Sequence, residues 1–295
     1  MLLQRKIDST VKKLNTLLFL SASAMAPLKA AVVYADFNDN SAANPLGSFT
    51  AGAGQGGGSG FLAGDVWANT GTINVVANDL TAPASTGYGL TQSGTPQSAQ
   101  GTFATGRQTT RATATTLGTS SSVWFSFLLN QPTTNSRGGI TFNQNSSSPG
   151  NLRVVATGVD VRLGLGATLQ PAGGGATMAI GSDTLIVGQL LIDPAGDETL
   201  SIWVNPDVSS GIPGLGAANT SLSEQAAAMD GGITRFGIQS YSSDNLGGIV
   251  DALVISDAAD ENQAFADITG TTIIPEPSSA LLTLLASLGL IRRRR

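Results

Sequence analysis

Seven side chains in this sequence are of the types that a carbohydrate site uses. Trp124 and Trp203 offer flat apolar rings on which the C–H face of a pyranose can stack, and Tyr241 offers a smaller ring with a hydroxyl. Arg153, Arg162 and Arg235 offer guanidinium forks, and Gln239 an amide. A guanidinium presents five donors in a fixed plane, and an amide both donates and accepts, so together they can read hydroxyls, ring oxygens and acids. A second group is rich in oxygen: Asp36, Asn38 and Asp39 early in the chain, and Asp251 late. Calcium takes about 6–8 oxygen ligands from such side chains. The four converge only if the two segments lie side by side; otherwise they cap strand ends through local hydrogen bonds. Asp193, Asp197 and Glu198 make a poorer cluster in one turn.

Several chemistries are excluded by what is missing. The 295 residues contain no histidine and no cysteine. Thiol nucleophiles, histidine metal sites and Ser-His or Cys-His arrangements are therefore out of reach. A retaining glycosidase needs two carboxyl groups about 5 Å apart. Between residues 31 and 274 the only glutamates are Glu198, Glu224 and Glu261, and none of them share a strand with a partner at the right spacing. Gly52-Ala53-Gly54-Gln55-Gly56-Gly57 has the spacing of a dinucleotide loop, but no helix signal follows, so it reads as a plain loop.

The elements that must carry these residues are strands. Gly, Thr, Ser, Ala and Asn dominate, with valine and isoleucine in short runs, a composition of strands and turns. In Ser122–Asn130 the odd positions Val123, Phe125, Phe127 and Leu129 form one apolar face, and Trp124 lies on the other. Segments 139–143, 152–157, 159–165, 199–205, 233–241 and 248–256 also read as strands, as does Ala31–Phe37, and 184–193 reads as a longer apolar run, a strand buried on both faces. By parity Trp203 opposes Leu200, Ile202 and Val204, and Arg153 and Arg162 lie on polar faces. Arg235, Gln239 and Tyr241 share a face with Ile233, opposite Phe236 and Ile238. If all these strands lie in one sheet, the seven side chains line one groove. If they do not, the tryptophans are core residues and the arginines lie on separate surfaces. Segment 221–229 reads as helix or loop, and residues 40–65 and 81–120 as long loops or weak edge strands. The expected fold is all-β, an antiparallel β-sandwich over residues 31–270.

The order of four motifs carries a resemblance. They are Tyr34-Ala35-Asp36-Phe37-Asn38-Asp39, Val123-Trp124-Phe125-Ser126-Phe127, Leu200-Ser201-Ile202-Trp203-Val204-Asn205-Pro206 and Gly248-Ile249-Val250-Asp251-Ala252-Leu253-Val254-Ile255. This arrangement resembles the concanavalin A-like (laminin G-like) jelly roll of lectin and glucanase domains. The resemblance implies that the first and last strands pair, and that a structural calcium is a possible cofactor. The Glu-x-Asp-x-(x)-Glu strand of the retaining glucanases of this fold does not occur here.

Both ends read as transit devices. Lys12 and Lys13 precede the apolar run Leu14–Met25, and small residues follow, as in a secretory signal over residues 1–30, cut after Ala30 or Ala26. At the other end, residues 271–295 contain Pro275, Glu276 and Pro277, then an apolar run over 278–291, then Arg292, Arg293, Arg294 and Arg295. The prolines keep the chain extended, and the serines after them can cap a helix. That 14-residue run spans about 21 Å as a helix, short of the roughly 30 Å of a bilayer core. It suits transient passage better than lasting anchorage, with the arginines left on the cytoplasmic side. This tail resembles the PEP-CTERM sorting signal of exported bacterial proteins. The resemblance implies an exosortase-type processing protease as partner, and a protein bound for the cell envelope, cell surface or extracellular matrix.

Without the two ends the charge balance changes. Arg107, Arg111, Arg137, Arg153, Arg162 and Arg235 are the only cations left, against 18 carboxylates, a net charge of −12 compared with −5 for the whole chain. An acidic, lysine-free surface argues against nucleic acid as a partner. The function expected is that of a non-enzymatic exported protein that associates with extracellular polysaccharide. A polysaccharide hydrolase or lyase, and a structural or adhesive surface protein with no glycan site, are the alternatives.

Overall fold

The computed structural model describes residues 32–35, 37, 47–48, 59–63, 68–69, 73–90, 97–101, 108–118, 122–143, 152–165, 168–224, 229–244 and 246–271. The signal segment 1–30, the glycine-rich loop, Asp36, Asn38, Asp39, and the tail from Pro275 to Arg295 lie outside them. Among the described residues no helix is long and apolar enough to cross a membrane.

The first part of the chain forms β1 (Val32–Ala35), β2 (Gly47–Ser48), β3 (Ala68–Asn69), β4 (Ile73–Val76), β5 (Ser98–Gly101) and β6 (Gln108–Leu117). The middle forms β7 (Ser122–Asn130), β8 (Ser136–Phe142), β9 (Leu152–Thr157), β10 (Asp160–Leu165), β11 (Thr168–Leu169) and β12 (Ala176–Thr177). The last third adds β13 (Thr184–Leu191), β14 (Glu198–Val204), β15 (Thr220–Glu224), β16 (Ile233–Ser242), β17 (Ile249–Ser256) and an α-helix, α1 (Glu261–Thr269). One sheet runs β15-β14-β13-β7-β17-β5-β4-β2, with β1 also paired to β17. The other runs β11-β10-β9-β8-β16-β6-β3, with β12 also paired to β10. The result is an antiparallel β-sandwich with one described helix, consistent with a jelly roll. First and last strands do pair, with Val32 opposite Ser256 and Ala35 opposite Leu253.

The core lies between the sheets and follows from period-2 alternation. Phe125, Phe127 and Leu129 of β7 meet Ile140 and Phe142 of β8, Val154 of β9, Leu163 of β10 and Ile238 of β16. The Phe125 and Phe142 rings approach to 5.3 Å across the sandwich. Gly188 on β13 makes room for Phe125, since a Cβ there would stand 2.1 Å from the ring.

A second apolar layer covers the outer face of the first sheet. Asp260 caps α1 by accepting from the Asn262 N–H at 2.9 Å, and Gly270 ends it at φ 67. The helix buries Ala264, Phe265 and Ile268. Burial of Phe265 and Ile268 contributes about 1.5–3 kcal/mol each. Ser256 donates to Asp267 at 2.8 Å, and the Gly89 N–H donates to the Thr269 carbonyl at 2.8 Å, tying the helix to β17 and to the segment before β5.

Two expectations are corrected. Segment 81–120 contains β5 and β6. The latter, Gln-Thr-Thr-Arg-Ala-Thr-Ala-Thr-Thr-Leu, buries Thr109, Thr110 and Thr113 and only one large aliphatic, Leu117, so its alternation hardly shows in a hydrophobicity pattern. Segment 221–229 is strand, not helix, up to Glu224, because its serines and leucine pair with β14 from Ile202↔Thr220 to Glu198↔Glu224.

Candidate functional site

The seven side chains do not share one groove, because their strands belong to different sheets. Trp124 and Trp203 lie on β7 and β14 of the first sheet. They are on the outer face, as parity requires, but α1 covers that face. Trp124 is 1% exposed and Trp203 8%. Their rings stack with centroids 5.8 Å apart, and Phe265 meets Trp124 edge-on at 5.4 Å. The Trp203 indole N–H donates to the Gly216 carbonyl at 3.2 Å. Both tryptophans are therefore core residues of the helix–sheet layer, and the expectation of an exposed aromatic platform is corrected.

The remaining candidates lie on β9, β10 and β16, all in the second sheet, and on its outer face. Cross-strand register arranges that face in rows. One row runs Gly164, Arg153, Thr141, Gly237, Thr110. The next runs Arg162, Val155, Gly139, Gln239, Gln108. A third runs Asp160, Thr157, Arg137, Tyr241. Only the backbone position of Tyr241 is described. The first two rows and the third enclose a cleft of about 80 Å³, lined by Arg137, Arg153, Arg162, Val155, Thr157, Leu169, Gln239 and the backbone of Gly138 and Ala156.

Local structure positions Arg162, Arg153 and Arg235. Arg162 donates to the Thr157 hydroxyl at 3.0 Å, and its Nε stands 3.5 Å from Asp160. Asp160 in turn accepts from the Gly173 N–H at 2.8 Å, which holds the carboxylate at the turn. The stem of Arg153 lies over Gly164, where a Cβ would stand 2.6 Å from its Cγ. Arg137 is exposed. Gly139, at φ 155, is buried in register between Val155 and Gln239; a Cβ there would strike the Val154 carbonyl at 2.0 Å. Arg235 lies on the same face and donates to the Thr110 hydroxyl at 3.3 Å. A bulge between Ile233 and Arg235 reverses the parity, so Ile233 enters the core and does not share the arginine face as expected.

Arg137 was not singled out by sequence. Extending the alternation of Phe142 and Ile140 back through Gly138 to Ser136 places it outward, but paired glycines hide that strand's beginning.

The oxygen cluster is only partly described. Asp251 is fully buried on β17, and its two oxygens accept from the Leu80 N–H at 3.2 Å and the Ala252 N–H at 2.7 Å. It does what a buried carboxylate at a bulge does, satisfying backbone donors. Among the described residues no group of three or more acidic, histidine or cysteine side chains could hold a metal ion.

No protein-family model matches the sequence, and no curated protein matches it. Among solved structures the chain is similar to a protein of unknown function from Shewanella oneidensis, at 11% identity and TM-score 0.39, over 82% of this chain and 94% of that one. It is similar to the metal-free carbohydrate recognition domain of Emp46p, at 9% identity and TM-score 0.36, over 55% and 82%. It is also similar to an endo-β-1,4-glucuronan lyase from the fungus Trichoderma reesei, at 12% identity and TM-score 0.40, over 80% and 96%. At these values the likeness concerns the course of the strands and says nothing of the site.

Proposed function

We propose that this is an exported, non-enzymatic protein that associates with extracellular polysaccharide through the outer face of its second sheet, on a concanavalin A-like jelly roll. The observation that carries the reading is the cleft. Arg137, Arg153, Arg162 and Gln239 converge around Val155 and the backbone of Gly138 and Ala156, partly open to solvent. Guanidinium and amide groups around a small apolar side chain suit a sugar ring held by its rim. The secretory signal and the tail around Pro275-Glu276-Pro277 supply the compartment in which such a ligand occurs. They imply an exosortase-type protease as processing partner, transient membrane contact, and a final location in the envelope, at the surface or in the matrix. A structural calcium between Asp36, Asn38, Asp39 and Asp251 belongs to the same reading of the fold.

Affinity electrophoresis tests it. The exported protein is run through gels containing one of a broad panel of polysaccharides, and retardation in at least one is expected. Migration unchanged across the whole panel leaves only a structural or adhesive coat role.

A second reading, a polysaccharide lyase or hydrolase, draws on one feature. Tyr241 pairs in register with Arg137, one row from Gln239 on the same strand. Release of reducing ends or unsaturated products from any polysaccharide of the panel would establish it in place of simple binding.

A further inference from the structure

We infer that the cleft selects acidic polysaccharides, whose sugar rings carry carboxylates or sulfate esters, over neutral ones. This rests on the polysaccharide-binding reading and narrows it. The first ground is charge placement. Between residues 31 and 274 the chain has six arginines and no lysine, against 18 carboxylates. Four of the six stand on one face of one sheet: Arg137, Arg153, Arg162 and Arg235. Asp160 is the one acid among the described strand positions of that face. A chain with net charge −12 that scattered its few cations for solubility or general ion pairing would spread them among its acids. Instead it places them together, and like charges on neighbouring strands destabilise a sheet. An anionic ligand offsets that cost. The Arg111 guanidinium shows the contrasting use: it stacks 4.2 Å above the Phe61 ring, on the opposite parity.

The second ground is that the arginines are held in place. Asp160 and Thr157 fix Arg162 from two sides. Gly164 gives Arg153 a bare strand to lie along. A pre-positioned guanidinium loses less freedom on binding, and its planar fork matches a carboxylate or a sulfate with two parallel hydrogen bonds.

The third ground favours a sugar acid over an acidic peptide. Val155 and the 37%-exposed Leu169 put an apolar wall beside the arginines. A ring with one charged edge and a C–H face fits such a wall. The rows run across the strands, so an extended chain laid along them meets Arg153 and Arg162 on adjacent strands, one row apart.

The test uses the exported protein in affinity gels with a polyuronate, a sulfated glycan and neutral glucans. Retardation is expected in one or both acidic gels. It should weaken steeply as salt rises, because the contacts are ionic. Polyuronate binding should also be lost as pH falls through about 4, where its carboxylates take up protons, while sulfated-glycan binding persists. That difference tells the two acids apart. Arg162→Gln, Arg153→Gln and the exposed Arg137→Gln should each weaken retention about ten- to a hundredfold. Arg162→Lys should recover only part, because it keeps charge without the fork. Arg137 is exposed, so Arg137→Gln keeps the test standing if an Arg153 or Arg162 variant does not fold. Equal, salt-insensitive retention by neutral glucans overturns the acidic selectivity and leaves polysaccharide binding standing. No retention by any glycan overturns both. Self-association that the same arginine variants abolish, without glycan retention, also overturns both and makes a second copy of this acidic chain the occupant.

Discussion

Replacing Trp124 by alanine separates a core tryptophan from a sugar platform. Its ring is 1% exposed between β7 and α1, stacked on Trp203 and met edge-on by Phe265. Truncating a buried tryptophan to alanine costs about 3–5 kcal/mol, from lost transfer energy and the cavity left behind. Part of that is the pair of aromatic contacts, each about 0.5–1.5 kcal/mol. Against a total stability of about 5–15 kcal/mol the loss is large. At about 2–4 °C per kcal/mol for a domain of this size, the thermal midpoint should fall by roughly 6–20 °C. Trp124→Phe should cost less. The indole N–H is buried with no hydrogen-bond partner, so the smaller ring gives up volume but no bond. Circular dichroism melts give the midpoint, and affinity gels below the melting range give glycan retention. Retention is expected to survive wherever the variant is folded, because the arginine cleft lies on the other sheet. A folded Trp124→Ala protein with an unchanged midpoint and no glycan retention would refute the reasoning and return the tryptophan to a binding surface.

Burial pushes the Tyr88 phenol well above its ordinary value near 10; the hydrogen bond with Ser126 opposes this, and the charge of Asp251 adds to it. Below pH 10 both folded and unfolded states keep the proton; above it the unfolded state releases its proton first, so stability should fall by about 1.4 kcal/mol per pH unit. Denaturant titrations at alkaline pH should show Tyr88→Phe losing that share of the slope, and identical slopes would refute it. Gly164→Ala places a Cβ 2.5 Å from Arg153 Nε and should displace that side chain. Retention in acidic gels should drop several-fold while stability stays within about 1 kcal/mol; unchanged retention would show that Arg153 does not need its bed. Glu198 and Glu224 stand directly opposite on β14 and β15, so Glu224→Gln should raise the urea midpoint by the equivalent of about 0.2–1 kcal/mol. A fall would mean that the Glu224 carboxylate holds the edge strand.

Much of the second sheet was legible because alternation is a local property. Val154 and Val161 point inward, so Arg153 and Arg162 must point outward, whatever the strands pack against. Arg235 and Gln239 followed by the same rule, but Ile233 did not, because a bulge is a backbone event with no hydrophobic signature. The helix α1 was legible in principle: Asp260 as cap, Phe265 and Ile268 one turn apart, and Gly270 as stop. Its short length and polar first turn resemble a solvated end of the chain.

Sequence alone determined the exclusions and the charge. Without histidine or cysteine the catalytic chemistries that need them are closed, and the two ends, once set aside, leave a lysine-free domain of net charge −12. Period-2 alternation also settled which way most of the candidate side chains face. Only the tertiary structure decided which faces meet. Strand parity says "outward", but it cannot say whether outward means water or another layer. Nine residues of helix turned part of the outer face of the first sheet into a core and covered Trp124, while Trp203 is buried against Trp124 and the segment at Gly216. Pairing of the consecutive strands β8, β9 and β10 set Arg137, Arg153 and Arg162 side by side, and pairing of β8 with β16, distant in sequence, added Gln239, because that register is set by long-range hydrogen bonding that no local pattern encodes.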